Sequence, residues 1–326
     1  MLITRTPFRI TLGGGGTDLP GYYSKHGGFV LAAALNKYMF IYLNTPIVDD
    51  LVRVKYSQSE MVEDVSDLQH TLCREALRLF GIRRAIEVIS MADVPAGTGL
   101  GSSSSFCVAL LNGLHAHAGQ FVAKEGLAGE ACTIEIERLG EPIGKQDQYA
   151  AAFGGINFIE FHKNDSVTVE PLLLRRDILA ELERSVMLFY TGVQRAAGKI
   201  LAAQQAQLED DGAAVTTLRR MVDLTYHLRG TLTAGDLDGL GRILHESWML
   251  KRSFTDGIST SRIDRLYDAA LAAGALGGKL AGAGGGGFLV LYCPPSAQAG
   301  VRAALHELRE VDFRFDLEGA RIVFAR

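Results

Sequence analysis

A surplus of positive charge is missing from this chain of 326 residues. Lysine and arginine number 33 against 37 aspartates and glutamates, and the net charge is −4. A broad nucleic-acid surface normally carries a basic excess, so that class of partner is not expected. Long apolar runs are missing too. None reaches the roughly 20 residues needed to span a bilayer, so no membrane partner is expected either. The opening Met1-Leu-Ile-Thr-Arg-Thr-Pro lacks the charged start and apolar centre of a signal peptide, and a cytoplasmic location is the default expectation. Cysteine is scarce. Cys73, Cys107, Cys132 and Cys293 form no CxxC pair, which argues against a zinc site and for buried thiols in a reducing compartment. No internal repeat or low-complexity tail is present.

What the chain has in excess is glycine. There are 37 glycines, and three dense patches occur among them: Gly13 to Gly16, Gly97 to Gly101, and Gly277 to Gly287. Glycine concentrates where backbone must approach a ligand or take positive φ.

Hydrophobic patterning predicts strands over 2–11, 29–35, 39–43, 52–56, 85–90 and 153–161, and helices over 68–80, 102–118 and 127–139. A polar stretch over 163–184 marks the expected boundary, giving domains 1–175 and 176–326. Beyond it, strands are expected over 185–190, 287–292 and 321–324. Helices are expected over 194–209, 213–232, 237–251, 263–273 and 299–310. This order reads as α+β rather than as a regular βαβ repeat.

The middle patch is the most informative segment: Pro95-Ala-Gly97-Thr-Gly99-Leu100-Gly101-Ser102-Ser103-Ser104-Ser105. It follows a strand and opens a helix. A helix start offers unpaired N–H groups and a positive dipole end, both suited to phosphate. Serine hydroxyls can bond phosphate or ligate Mg²⁺. No lysine follows the glycines, so this is not a Walker loop. A single serine would suffice as a helix cap, and here there are four.

This segment resembles the phosphate-binding motif of the GHMP kinases. The resemblance implies a two-domain α+β architecture, with a ribosomal-protein-like N-terminal domain and a ferredoxin-like C-terminal domain. It also implies phosphoryl transfer from ATP with Mg²⁺. ATP phosphates would lie on Gly97, Gly99, Leu100, Gly101, Ser102, Ser103 and Ser104.

The other patches extend the resemblance. Arg9 and the run Gly14-Gly15-Gly16-Thr17-Asp18 are similar to the family's first motif, which places Arg9 at the transferring phosphoryl group and the Gly14–Asp18 run on the acceptor. Galactokinases carry Glu-His where this chain has Gly15 and Gly16, which argues against galactose. The run Gly278-Lys279-Leu280-Ala281-Gly282-Ala283-Gly284-Gly285 is similar to the C-terminal motif, which brings Gly284 and Gly285 to the substrate pocket. Glu135, Gly140, Gly144 and Asp147 match the galactokinase spacing. Glu135 with Ser103 is then the expected Mg²⁺ pair, and Asp147 the expected base. Glu137 is the fallback ligand; because positions i and i+2 on a helix diverge, Glu137 would be a solvated or salt-bridged charge if Glu135 faces the site.

In combination these segments are most similar to the branch acting on D-glycero-D-manno-heptose 7-phosphate, which implies transfer to the anomeric C1 hydroxyl and a 1,7-bisphosphate product. A small sugar phosphate is therefore the expected partner. Its phosphate needs cations, for which Arg195, Lys251, Arg252 and Lys25 are candidates, with Arg195 placed in the substrate site. A kinase for another sugar, such as fucose or a uronic acid, and a non-catalytic sugar- and ATP-binding regulator are the alternatives. Oligomeric state is not fixed by the sequence, and a homodimer is compatible with it.

Overall fold

The computed structural model describes residues 1–194, 197–210 and 212–326. In chain order its first half runs β1 (Leu2–Gly13), α1 (Pro20–His26), β2 (Gly28–Asn44), β3 (Val52–Lys55), β4 (Ser59–Val62), α2 (Thr71–Leu79), β5 (Ile86–Ala92), α3 (Ser102–His117), α4 (Lys124–Cys132), α5 (Gln146–Phe153), β6 (Ile156–Phe161) and β7 (Val167–Pro171). The second half runs α6 (Arg176–Ser185), β8 (Val186–Tyr190), α7 (Ala197–Asp210), α8 (Gly212–Ala234), α9 (Leu237–Arg252), α10 (Ser261–Ala272), β9 (Gly277–Leu280), β10 (Phe288–Tyr292), α11 (Gln298–Ala304), β11 (Arg309–Glu310) and β12 (Arg321–Ala325).

The first sheet has the order β12-β1-β2-β5-β3-β4, with β6 on β2 and β7 on β6. Strand β2 changes partner along its length: residues 28–33 pair with β6 and residues 39–44 with β5. Two strands were expected here, because Asn36-Lys37 interrupts the apolar pattern. One long strand forms instead, since β1 runs beside it and a register shift at Pro7/Phe8 absorbs the irregularity. Helix α3 packs on this sheet. Thr4 Oγ1 donates to the Ala109 carbonyl at 2.7 Å, and Ser105 Oγ to the Pro7 carbonyl at 3.0 Å. Val108, Ala109, Leu110 and Leu111 are all fully buried, as suits a helix apolar on every side.

The second sheet is antiparallel in the order β11-β8-β10-β9. Helices intervene between β8 and β9 and between β10 and β11, which gives the ferredoxin-like βαββαβ order. Its core gathers Met187, Phe189, Trp248, Tyr267, Leu289 and Leu291. The chain then returns to the first sheet. Phe315 bridges Leu35, and β12 pairs antiparallel with β1. The last strand therefore departs from a simple division at residue 175.

Other expectations shift. Residue 153 ends helix α5 instead of starting a strand, because Gly154 and Gly155 take positive φ and turn the chain there. The stretch 163–184 holds β7 and α6. Gly277 and Gly278 belong to strand β9 rather than a loop. A Cβ there would lie 1.9 Å from the Gly241 carbonyl oxygen and 2.3 Å from that of Val290, so only glycine permits the close packing. All four cysteines are free and buried. Among the described residues no helix is long and apolar enough to cross a membrane.

Candidate active site

The second and third glycine patches, far apart in sequence, touch backbone to backbone. Gly99 takes φ +81°, and a Cβ there would lie 2.5 Å from the Ala281 carbonyl oxygen. A Cβ on Gly287 would lie 2.1 Å from that of Thr98. The Arg9 amide donates to the Leu100 carbonyl at 3.0 Å, tying β1 to the same loop. The meeting point is one wall of a cleft of about 950 Å³ lined by residues of both sheets' domains.

Gly101 stands at the N-cap of α3 in a left-handed conformation, φ 79° and ψ 31°, and among the described residues no side chain caps the helix. Its first-turn N–H groups and dipole therefore face the cleft, a ready anion site. Gly97, Gly99, Gly101, Ser102, Ser103 and Ser104 all line it. Leu100 does not: it is 1% exposed and packs in the core, contributing only its carbonyl to Arg9.

Arg9 projects from β1 beneath this loop. Its Nε and Nη2 bond the two carboxylate oxygens of Asp147 at 2.7 Å each, and Nη1 donates to the Gly99 carbonyl at 2.6 Å. Asp147 lies in the first turn of α5 and borders Gly101, where a Cβ would come within 3.2 Å of its Oδ2. Asp18 is 2% exposed and accepts from the amides of Gly16 and Gln146 at 3.1 and 3.3 Å. Burial, and secondly the Asp147 charge, push its pKa up. Gly144 is required here, because a Cβ would fall 2.0 Å from Asp18 Oδ2.

Glu135 sits on a π-helical turn, Thr133–Arg138, that continues α4. On it Glu135 points inward, 1% exposed, and Glu137 is exposed, as i, i+2 divergence predicts. Ser103 Oγ donates to Glu135 Oε1 at 2.6 Å and Gln148 Nε2 to Oε2 at 2.7 Å. Burial raises the Glu135 pKa to about 7 despite the bonds from Ser103, Ser104 and Gln148. Gln148 Oε1 is buried without a partner among the described residues. These hard oxygens at the phosphate end of the cleft fit Mg²⁺, which draws its remaining ligands from phosphate and water. Among the described residues no group of three or more His, Cys, Asp or Glu could hold a metal unaided.

Several residues expected in the site do not line the cleft. Thr17 Oγ1 donates to the Gly14 carbonyl at 2.7 Å, and accepts from the Phe29 amide, so it braces the turn and does not face the cleft. Gly14 is pressed against Phe29, whose carbonyl oxygen a Cβ would meet at 1.9 Å. Of the turn, Gly16 and Asp18 reach the cleft, whereas Gly15 lies just behind it. Gly284 lines the cleft, but Gly285 donates its amide to Ile258 and serves the loop. Arg195 lies outside the described residues. Arg252 pairs with Asp264 at 3.1 Å, and Lys25 is exposed.

Sequence reasoning missed two groups of lining residues. At one end of the cleft stand Met39, Tyr56, His70, Leu72, Val94 and Phe106, an apolar and aromatic slot beyond the start of α3. His70 stacks on Phe106 with ring centroids 4.9 Å apart, and Tyr56 meets His70 edge-on. No local motif announces residues drawn from β2, α2, α3 and the segments that follow β3 and β5. At the other end stand Gln204 from α7 and, behind it, Lys279; beside them on α9 is Lys251, one of the cations expected from the sequence.

Comparison with known proteins places the chain in a family. Residues 67–155 match the family model for the GHMP kinases N terminal domain, and residues 228–310 that for the GHMP kinases C terminal. D-glycero-alpha-D-manno-heptose 7-phosphate kinase of Campylobacter jejuni is 31% identical over 98% of this chain and 97% of its own. The bifunctional fucokinase/GDP-fucose pyrophosphorylase of Arabidopsis thaliana is 26% identical over 94% of this chain but only 31% of its own length. A solved structure, D-glycero-D-manno-heptose 1-phosphate kinase from Bacteroides thetaiotaomicron, superposes with a TM-score of 0.82 at 27% identity over the whole of both chains. With both family domains matched and a relative aligned end to end, the chain belongs to the GHMP kinases.

Proposed function

We propose that this protein is an ATP-dependent sugar kinase that transfers the γ-phosphoryl group to the anomeric C1 hydroxyl of D-glycero-D-manno-heptose 7-phosphate, giving the 1,7-bisphosphate. The observation that carries the phosphoryl-transfer reading is the Arg9–Asp147 pair, held beside the uncapped start of α3. Two relatives named for heptose phosphates, each matched over nearly the whole chain, support the choice of sugar.

The adenine ring is assigned to the aromatic slot of Tyr56, His70 and Phe106, and the triphosphate to the amides and hydroxyls of Ser102, Ser103 and Ser104. Glu135 and Ser103 would hold Mg²⁺, which when bound neutralises charge on the phosphate oxygens. Asp18 accepts hydrogen bonds from sugar hydroxyls. Asp147 orients the C1 hydroxyl and takes its proton as the new O–P bond forms and the bond to ADP breaks. Arg9 fixes Asp147 and offers its guanidinium to the charge spreading over the phosphoryl oxygens.

³¹P NMR of products from a panel of sugars and sugar phosphates identifies acceptor and position together. Asp147→Ala should cut turnover by about 100-fold or more while ATP binding persists. Near-normal kcat in that variant would overturn the base assignment. A product phosphorylated away from C1, or preference for fucose, would replace the heptose reading with that of another sugar kinase of the family.

A further inference from the structure

The far end of the cleft holds donors whose hydrogen-bonding capacity is wholly or partly unused. Lys279 is 2% exposed, and its ammonium nitrogen has no partner among the described residues. Gln204 is likewise 2% exposed, and its Nε2 is also unpartnered. Lys251 is 7% exposed and makes one bond, to the Gly282 carbonyl at 2.5 Å.

All three converge on the first glycine turn. A Cβ built on Gly15 would lie 3.7 Å from Lys279 Nζ and 3.9 Å from Lys251 Nζ. One built on Gly16 would lie 3.9 Å from Gln204 Oε1. Two ammonium groups and an amide thus surround the space that side chains at positions 15 and 16 would fill. Lys251, Gln204 and Gly16 form the cleft wall there, and Lys279 stands immediately behind.

Burying an amine with no partner is costly, and two neighbouring ones repel each other. Burial first, and then its cationic neighbours, lower the pKa of Lys251 to about 8 and that of Lys279 well below its usual value. Such a cluster is reconciled by an acceptor-only, multiply charged ligand. Asp18 and Asp147 lie close enough to favour the charged lysines but are bonded to Gln146, Gly16 and Arg9. The unmet demand is for oxygen acceptors carrying negative charge, which a phosphate monoester supplies and a sugar hydroxyl does not.

We propose that Lys251, Lys279 and Gln204 form the subsite that binds the phosphate already present on the acceptor sugar. This rests on the sugar-phosphate reading above. The glycines at 15 and 16 leave room for that phosphate by withholding side chains.

The test compares KM for heptose 7-phosphate and for unphosphorylated heptose in the wild-type protein and in Lys279→Met. The ratio of the two KM values should shift by about 30-fold against the phosphorylated sugar, the worth of a charge-assisted bond. Lys251→Met gives the same comparison if Lys279→Met folds poorly. An equal loss on both sugars, or a loss confined to kcat, would assign the lysines to the transferring phosphoryl group and overturn the proposal. The ligand-free Lys279→Met protein should also melt at or above the wild-type temperature, whereas a purely structural lysine would lower it. If the wild type accepts no phosphorylated sugar, the substrate reading fails by itself. The subsite is then judged by inorganic phosphate as a competitor of the sugar it does accept. Inhibition lost in Lys279→Met upholds the subsite, and unchanged inhibition removes it.

Discussion

A methyl group on Gly287 would lie 2.1 Å from the Thr98 carbonyl oxygen, in a backbone at φ +88°. Neither the strand that follows nor the loop it touches can yield without disturbing the phosphate-binding loop. Gly287→Ala should therefore destabilise the protein by about 2–4 kcal/mol, from left-handed backbone plus overpacking. Gly129 is the contrasting case. It lies inside α4 with nothing within 4 Å of a Cβ, and Gly129→Ala should stabilise by about 0.5–1 kcal/mol. Urea unfolding of both variants tests whether the glycine clusters are dictated by contact and not by flexibility. Residue identity thus showed where glycine matters, but not what each one touches. Thr17 and Leu100 were legible as members of motifs, yet their side chains serve the turn and the core.

At the scale of elements, the site depends on how segments begin and bend. Glu135 and Glu137 diverge as positions i and i+2 of any helix do, but the π-helical form of the turn Thr133–Arg138 that carries them is announced by no pattern in the sequence. Glu137→Ala should leave the Mg²⁺ dependence of turnover unaltered, whereas Glu135→Gln should raise the Mg²⁺ concentration needed for half-maximal rate. Helix α9 carries Lys251 and begins at Asp236, whose side chain accepts from the Gly239 amide at 2.8 Å. Asp236→Ala should cost about 1 kcal/mol, read as a lower urea midpoint at unchanged slope.

At the scale of the whole molecule, buried charge from both domains meets at one point. Lys251 faces Arg9, Asp18 and Asp147 from the first domain, and Lys279 from the second. Its folded pKa, about 8, lies below the unfolded value of 10.5. Below pH 8 both states hold the proton and the folded state bears the full burial penalty. Between 8 and 10.5 the unfolded chain holds more protons, so this contribution favours folding increasingly as pH rises. Lys251→Met should therefore be more stable than wild type at pH 7, and its advantage should shrink as pH rises above 8. The buried cysteines, whose pKa values are raised, oppose this trend equally in both proteins, so the difference between the two melting curves is the informative quantity.

By itself the sequence determined the chemistry available and most of the elements that carry it. Three glycine patches, a serine-rich helix start, Arg9, Asp18, Glu135 and Asp147 are local signals, because backbone freedom, helix capping and carboxylate spacing act over a few residues. Tertiary structure alone decided which of these groups meet. Arg9 and Asp147 are 138 positions apart and become a bidentate pair because β1 and the start of α5 flank the same loop. The aromatic slot, and the convergence of Gln204, Lys251 and Lys279 on Gly15 and Gly16, likewise assemble from elements with no shared local pattern. Contacts of that kind are fixed by the packing of two sheets and their helices around one cleft, and packing is a property of the folded chain as a whole.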